Sequence, residues 1–136
     1  MRFLIGSDEA RPVVEWIASR LRERGHEARV LPIGAWGKIA TDVAQSVARK
    51  DVDQGVVCCW TGTGVSIAAN KVKGVRAALC SDAVTATGAR KWNDANVLAL
   101  SLRTLSEPVA GEIIDAWLAA SYDGSEDESL DAMGER

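Results

Sequence analysis

Gln54 to Lys71 reads QGVVCCWTGTGVSIAANK, and the reading of this stretch decides the fold. It opens as a short apolar run, Gly55 to Cys59, and closes in a helical pattern, Ser66 to Lys71. Between them lies a turn with Gly62 and Gly64. An apolar run bounded by glycines is the pattern of a buried strand. In open α/β sheets, ligands bind beyond the carboxyl ends of strands. That rule sets Cys59, Trp60 and Thr61 at the mouth of a site. The helix that follows opens with backbone N–H groups lacking intrahelical acceptors, an arrangement that favours anions. A thiol beside such a loop suits proton chemistry, although a cysteine also fits a strand as a small apolar residue. The TGTG turn lacks the Lys-Ser/Thr of a phosphate loop and the full dinucleotide fingerprint.

Outward from this stretch, 136 residues are enough for one domain with a sizeable core. Apolar residues make up 47% and charged residues 26%, within the range of ordinary globular chains. A net charge of −3 gives no general attraction to nucleic acid. No apolar run approaches a membrane span, and the apolar part of MRFLIGSDEA is too short for a signal peptide. Three cysteines, Cys58, Cys59 and Cys80, two of them adjacent, do not make a disulfide framework. A reducing cytoplasm is the expected home. With His26 as the one histidine and no spaced Cys/His cluster, no metal site is expected.

In chain order, Arg2 to Gly6 reads as the first strand. Ser7 and Asp8 are capping types, Pro12 suits a first helical turn, and Val13, Val14, Ile17 and Leu21 follow at helical spacing until Gly25. Glu27 to Ile33 reads as a second strand, and Gly34 to Lys38, with Trp36, as a loop. Thr41 or Asp42 caps a helix through Lys50 whose inner face is Val43, Val47 and Ala48. After the central strand and helix come a strand over Val75 to Cys80 and a helix over Asp82 to Trp92. A fifth strand spans Asn96 to Ser101, and Ser106 starts a last helix with Val109, Ile113, Ile114 and Trp117 on one stripe. Strands alternating with helices imply a parallel sheet of five strands covered on both faces. The end, Ser121 to Arg136, is acidic and poor in large apolar residues, the composition of a solvated tail; crossing onto a partner subunit is the other reading.

The central motif, CWTGTGVSIAANKVKGVRAALCSD, followed by NDANVLAL, resembles the ribose-5-phosphate isomerase B and galactose-6-phosphate isomerase family. The family's usual form of the first motif is C-G-T-G-x-G-x-S-I-A-A-N-K, and Asp8 fits its Ser/Cys-Asp-His opening. The resemblance runs from Met1 to about Tyr122, so residues 1–122 are expected to form the isomerase domain and residues 123–136 an acidic tail. It implies a Rossmann-like three-layer α/β/α sandwich and aldose–ketose isomerisation of a sugar or sugar phosphate without metal or organic cofactor. It also implies a homodimer, or a tetramer, with active sites near the subunit interface. By the same resemblance Cys59 is the base that moves a proton between the first two sugar carbons, and Thr61 assists transfer at the oxygens. The backbone from Gly62 through Thr63, Gly64 and Val65 to Ser66 forms the anion hole. Asp8 binds substrate hydroxyls, and Asn93 lies in the same pocket. A second branch of the family uses a Glu where this chain has Val65, which assigns the chain to the thiol branch. Adjacent strand residues face opposite ways, so only one of Cys58 and Cys59 reaches the site. The motif selects Cys59 and leaves Cys58 and Cys80 to the core.

Departures from the family bear on substrate. Its ring-opening His is Trp92 here, the His after the opening Asp is Glu9, and the Gly after the catalytic Cys is Trp60. Its phosphate-holding arginines beyond Tyr122 are missing: that region reads GSEDESL, and beyond it the one arginine is Arg136. A four-carbon sugar phosphorylated at its terminal oxygen cannot close a furanose ring and needs no ring opening. Two indoles, Trp60 and Trp92, would narrow the pocket toward such a tetrose or tetrulose phosphate, unless they only pack. Arg11 is the first replacement candidate for phosphate, with Arg90, Arg103 and Lys71 behind it; a non-phosphorylated sugar and a non-catalytic sugar-binding role remain open. A nucleotide-binding domain is disfavoured, because GSDEAR after the first strand lacks G-x-G-x-x-G.

Overall fold

The alternating apolar runs and helical stripes are realised as one parallel sheet. The computed structural model describes residues 1–134. Its elements run β1 (Arg2–Ser7), α1 (Pro12–Glu23), β2 (Glu27–Val30), α2 (Trp36–Ala48), β3 (Gln54–Cys59), α3 (Thr63–Asn70), β4 (Ala77–Leu79), α4 (Ala83–Asn93), β5 (Val97–Ser101), α5 (Glu107–Ala119) and α6 (Asp127–Ala132). The strands are ordered β2-β1-β3-β5-β4, all paired in parallel. The expected three-layer α/β/α sandwich with a five-stranded sheet is what forms.

Strand periodicity sorts the core into two halves. Phe3, Ile5, Val56, Cys58, Leu98 and Leu100 point to the face covered by α1, α4 and α5. Leu4, Val57, Cys59, Val97 and Ala99 point to the face covered by α2 and α3. Every residue of β3 is buried, as expected for a central parallel strand. Each such Val or Leu contributes about 1.5–3 kcal/mol by leaving water. The one buried amide in the strand, Gln54, is matched: Trp117 Nε1 on α5 donates to its Oε1 at 2.7 Å. That bond ties the start of β3 to the last long helix.

Helix ends follow the local chemistry in part. Asp82 caps α4 by accepting from the Thr85 N–H at 2.7 Å, and Ser106 caps α5 by accepting from the Val109 N–H at 3.3 Å. Gly25, at φ +88°, ends the α1 region as expected. Ser7 and Asp8 do not cap α1. Ser7 ends β1, and Arg11 precedes the helix without a capping side chain. β2 stops at Val30, three residues short of Ile33; the Leu31 N–H still donates to the Ile5 carbonyl at 2.8 Å before Pro32 turns the chain out of the extended run. β4 is limited to Ala77–Leu79.

The largest correction is α2. It begins at Trp36, not at Thr41 or Asp42, and ends at Ala48. Burial of Ile39 and Ala40 against the sheet extends it by more than a turn toward its N-terminus, without a capping side chain. Ala48 is exposed, and Ala44 fills the inner face with Val43 and Val47. The acidic end also differs from a solvated tail. Asp127–Ala132 is helical, Leu130 is buried, and the Tyr122 hydroxyl donates to Asp127 at 2.7 Å. Arg136, the one arginine expected beyond that segment, lies outside the described residues.

Candidate active site

The site is where the chain's winding reverses. α1, after β1, lies on one face of the sheet, whereas α3, after the neighbouring strand β3, lies on the other. Such a reversal opens a crevice beyond the carboxyl ends of the two strands. Asp8 follows β1 there, and Cys59 ends β3. Together with Trp36, Trp60, Thr61, Thr63 and Gly64 they line a cavity of about 280 Å³.

The loop from β3 to α3 is held rigidly. Leu102 N–H donates to the Cys59 carbonyl and Arg103 N–H to the Trp60 carbonyl, each at 2.9 Å. The Ser101 hydroxyl also donates to the Trp60 carbonyl at 2.9 Å. Gly62 then turns the chain in the left-handed region, φ +75°. A Cβ there would stand 2.6 Å from Leu79 Cδ1 and 2.9 Å from the Leu100 carbonyl carbon, so only glycine fits. α3 starts at Thr63 with no side-chain cap, which leaves the first-turn N–H groups without an intrahelical acceptor. The Thr61 and Thr63 hydroxyls share a hydrogen bond of 2.7 Å at this mouth.

The two adjacent thiols are separated by strand geometry. Cys58 is fully buried on the α1/α4/α5 face, and that burial, then Cys59 and Asp8, pushes its thiol up to about 12. Cys80 is likewise pushed up to about 12, by burial and then Asp82. Cys59, 5% exposed, is the thiol that borders the cavity. Asp8 adds an acid group: burial and then the neighbouring Glu9 raise its carboxyl above the ordinary range. Its Oδ1 is buried and has no hydrogen-bond partner among the described residues. Ser7 sets the turn that carries it, donating to the Glu9 carbonyl at 2.8 Å and accepting from the Glu9 N–H at 3.2 Å.

Asp8, Cys59, Trp60, Thr61, Thr63 and Gly64 are thus gathered as expected, with Gly62 shaping the loop. Glu9 and Arg11 line the adjoining groove instead. Arg11 pairs with Glu9 at 2.8 Å and lies over Trp60, 5.2 Å from the ring centre. The Val65 side chain is core, so only its N–H faces the loop, and Ser66 does not border the cavity. Trp92 and Asn93 are not at this cavity. They end α4, which runs back to the amino ends of the strands, where Asn93 lines a separate groove with Lys71 and Met133. Among the other phosphate candidates, Arg90 is engaged in the interior: it donates to the Ala95 carbonyl at 2.5 Å and lies 5.7 Å from the Trp117 ring. Arg103 is exposed, and its own N–H is the one that clasps the Trp60 carbonyl. Trp36, expected in a loop, is instead the first residue of α2, a helix start without a capping side chain to mark it in the sequence.

The ribose/galactose isomerase family matches residues 3–132. Ribose-5-phosphate isomerase B of Escherichia coli is 44% identical over 115 residues, covering 79% of this chain and 76% of that protein. D-erythrulose-4-phosphate isomerase of Pectobacterium atrosepticum is 46% identical over 90 residues, covering 63% and 59%. The solved ribose-5-phosphate isomerase B of Clostridium thermocellum superposes with a TM-score of 0.93 at 36% identity, covering 98% of this chain and 95% of that one.

Proposed function

The chain belongs to the ribose/galactose isomerase family of sugar-phosphate aldose–ketose isomerases, and from that premise we propose that its substrate is a four-carbon sugar phosphate. The carrying observation is the cavity itself: one thiol, one carboxyl with a buried oxygen and two hydroxyls converge beside an uncapped helix start, with two indoles in the lining. Cys59 takes the proton from the carbon beside the carbonyl as thiolate and returns it to the neighbouring carbon. A base must sit within hydrogen-bond reach of that proton. N–H groups at the start of α3, including those of Thr63, Gly64 and Val65, hold the enediolate oxygen where charge develops. Thr61 passes a proton between the two oxygens, and Asp8 binds a substrate hydroxyl. Cys58 is excluded from the base role by its burial on the other face.

A tetrulose 4-phosphate suits this chain because no His stands near the cavity to open a ring. A relative named for that substrate shares 46% identity over its matched segment. Purified protein assayed with erythrulose 4-phosphate, ribose 5-phosphate and unphosphorylated erythrulose tests it. Preference for the first supports the proposal, and preference for either of the others removes it. Arg103, exposed and joined through its N–H to the Trp60 carbonyl, is then our candidate for the phosphate, since Arg11 is paired with Glu9.

Trp92 and Asn93, at the far ends of the strands, could meet a Cys59 cavity only if a second copy brought them there. We therefore read the enzyme as a homodimer with shared sites, formed along the β4 edge, where Ile67, Leu79 and Val84 are exposed. Mixing Cys59→Ala with Asn93→Ala protein should restore about a quarter of wild-type activity, since half of randomly paired dimers are mixed and each has one intact site. No recovery after subunit exchange overturns the shared site. Residues 1–122 carry this activity in our reading, with 123–136 an appended segment. The three free thiols favour a reducing, cytoplasmic setting.

A further inference from the structure

We propose that Trp36 fixes the length of sugar the site accepts, its indole closing the cavity against a fifth carbon. The proposal rests on the isomerase reading and adds a specificity-determining residue to it. Trp36 is the first residue of α2 and one of seven residues around the Cys59 cavity. Its ring lies against the loop main chain: a Cβ on Gly64 would meet Trp36 Cε3 at 2.9 Å and Cζ3 at 3.0 Å. The indole therefore borders the first turn of α3, where an enediolate oxygen is to be held. The helix start that carries it is tied down at Ile39, whose N–H donates to the Ala35 carbonyl at 3.0 Å and whose side chain is buried. Gly34 passes close to the same Ile39: a Cβ there would stand 2.9 Å from Ile39 Cγ2.

The ring is 49% exposed and belongs to neither core cluster, so folding does not depend on an indole here. Its effect falls on the space beside Cys59. Trp60 provides the second aromatic wall but stands with Arg11 over its ring, whereas Trp36 has the loop as its neighbour. A pocket wall discriminates one carbon unit by roughly 10–200-fold. Removing an indole frees more room than one CHOH group requires.

The test compares wild type, Trp36→Phe and Trp36→Ala on erythrulose 4-phosphate and ribulose 5-phosphate. Both ketoses enter as open chains, so ring opening does not confound length. The expected result is a kcat/KM ratio shifted at least about tenfold toward the pentulose in Trp36→Ala, with Trp36→Phe between, and unchanged melting temperature. A ratio that stays within about threefold of wild type overturns the assignment. Equal loss on both sugars also overturns it, making Trp36 a support for the loop. Failure of wild type to turn over either sugar would instead overturn the isomerase reading beneath it.

Discussion

Replacing Cys59 by alanine separates chemistry from packing, because its sulfur borders a cavity that already exists. Cys59 is 5% exposed and lies at the end of β3, beside about 280 Å³ of open space. Deleting Sγ enlarges that space instead of creating a new sealed void, so the stability cost is about 1 kcal/mol or less. Loss of a general base costs roughly 10²–10⁴ in rate, or about 3–5 kcal/mol of transition-state stabilisation. Cys58→Ala is the matched control. Its sulfur is fully buried on the other face, so that variant loses about 1–2 kcal/mol of stability while kcat/KM stays within about threefold. The assay is steady-state isomerisation of erythrulose 4-phosphate, with urea unfolding on the same preparations. More than a tenth of wild-type activity in Cys59→Ala, or an equal loss in Cys58→Ala, would refute the assignment of the base.

Gly62→Ala forces a side chain into the left-handed region and toward the Leu100 carbonyl carbon at 2.9 Å. It should cost about 2 kcal/mol or more in urea unfolding and misplace Thr61, lowering kcat at least about tenfold. Full stability with full activity would contradict the rigid-loop account. Asp115 is held at about 2 by hydrogen bonds from Arg24 and then Arg20. Its carboxylate is depressed in the folded state, so its contribution is present above about pH 4 and fades as pH falls through about 2. The group is partly exposed, which limits the contribution to about 1 kcal/mol. Asp115→Asn should lose that amount at pH 7 and approach wild type near pH 2 in denaturant titrations; a constant gap across that range would exclude the linkage.

Strand identity was legible because parallel strands buried on both faces leave unbroken apolar runs, as in Gly55 to Cys59. Helix faces were legible from stripes such as Ile113, Ile114 and Trp117, all buried. Caps were readable where a side chain accepts a backbone proton, at Asp82 and Ser106, and unreadable where none does. The start of α2 has no cap, and Thr41, which looks like one, instead sits inside the helix donating to the Gly37 carbonyl at 2.7 Å. In the acidic tail, composition pointed to solvent, yet one apolar residue, Leu130, is enough to seat a short helix.

The site divides along the same physical line. Cys59 and Thr61 border one cavity because a motif in one strand–turn–helix unit keeps its geometry wherever the unit folds, and Asp8 joins them from the neighbouring strand β1. The places of Trp36 and Trp92 are harder to read, because they depend on pairing and direction, which short-range patterns do not carry. α4 returns antiparallel to a parallel strand, so its last turn must lie at the amino ends of the sheet while Cys59 lies at the carboxyl ends. An indole at position 92 therefore cannot narrow its own chain's cavity, however close the family motif sets it in sequence. α2 also returns antiparallel to the strands, so its first residue must lie at the carboxyl ends, where Trp36 lines the cavity that Cys59 borders. Within one chain the indoles at the cavity are those of Trp36 and Trp60, and any action of Trp92 or Asn93 on the chemistry requires a second subunit.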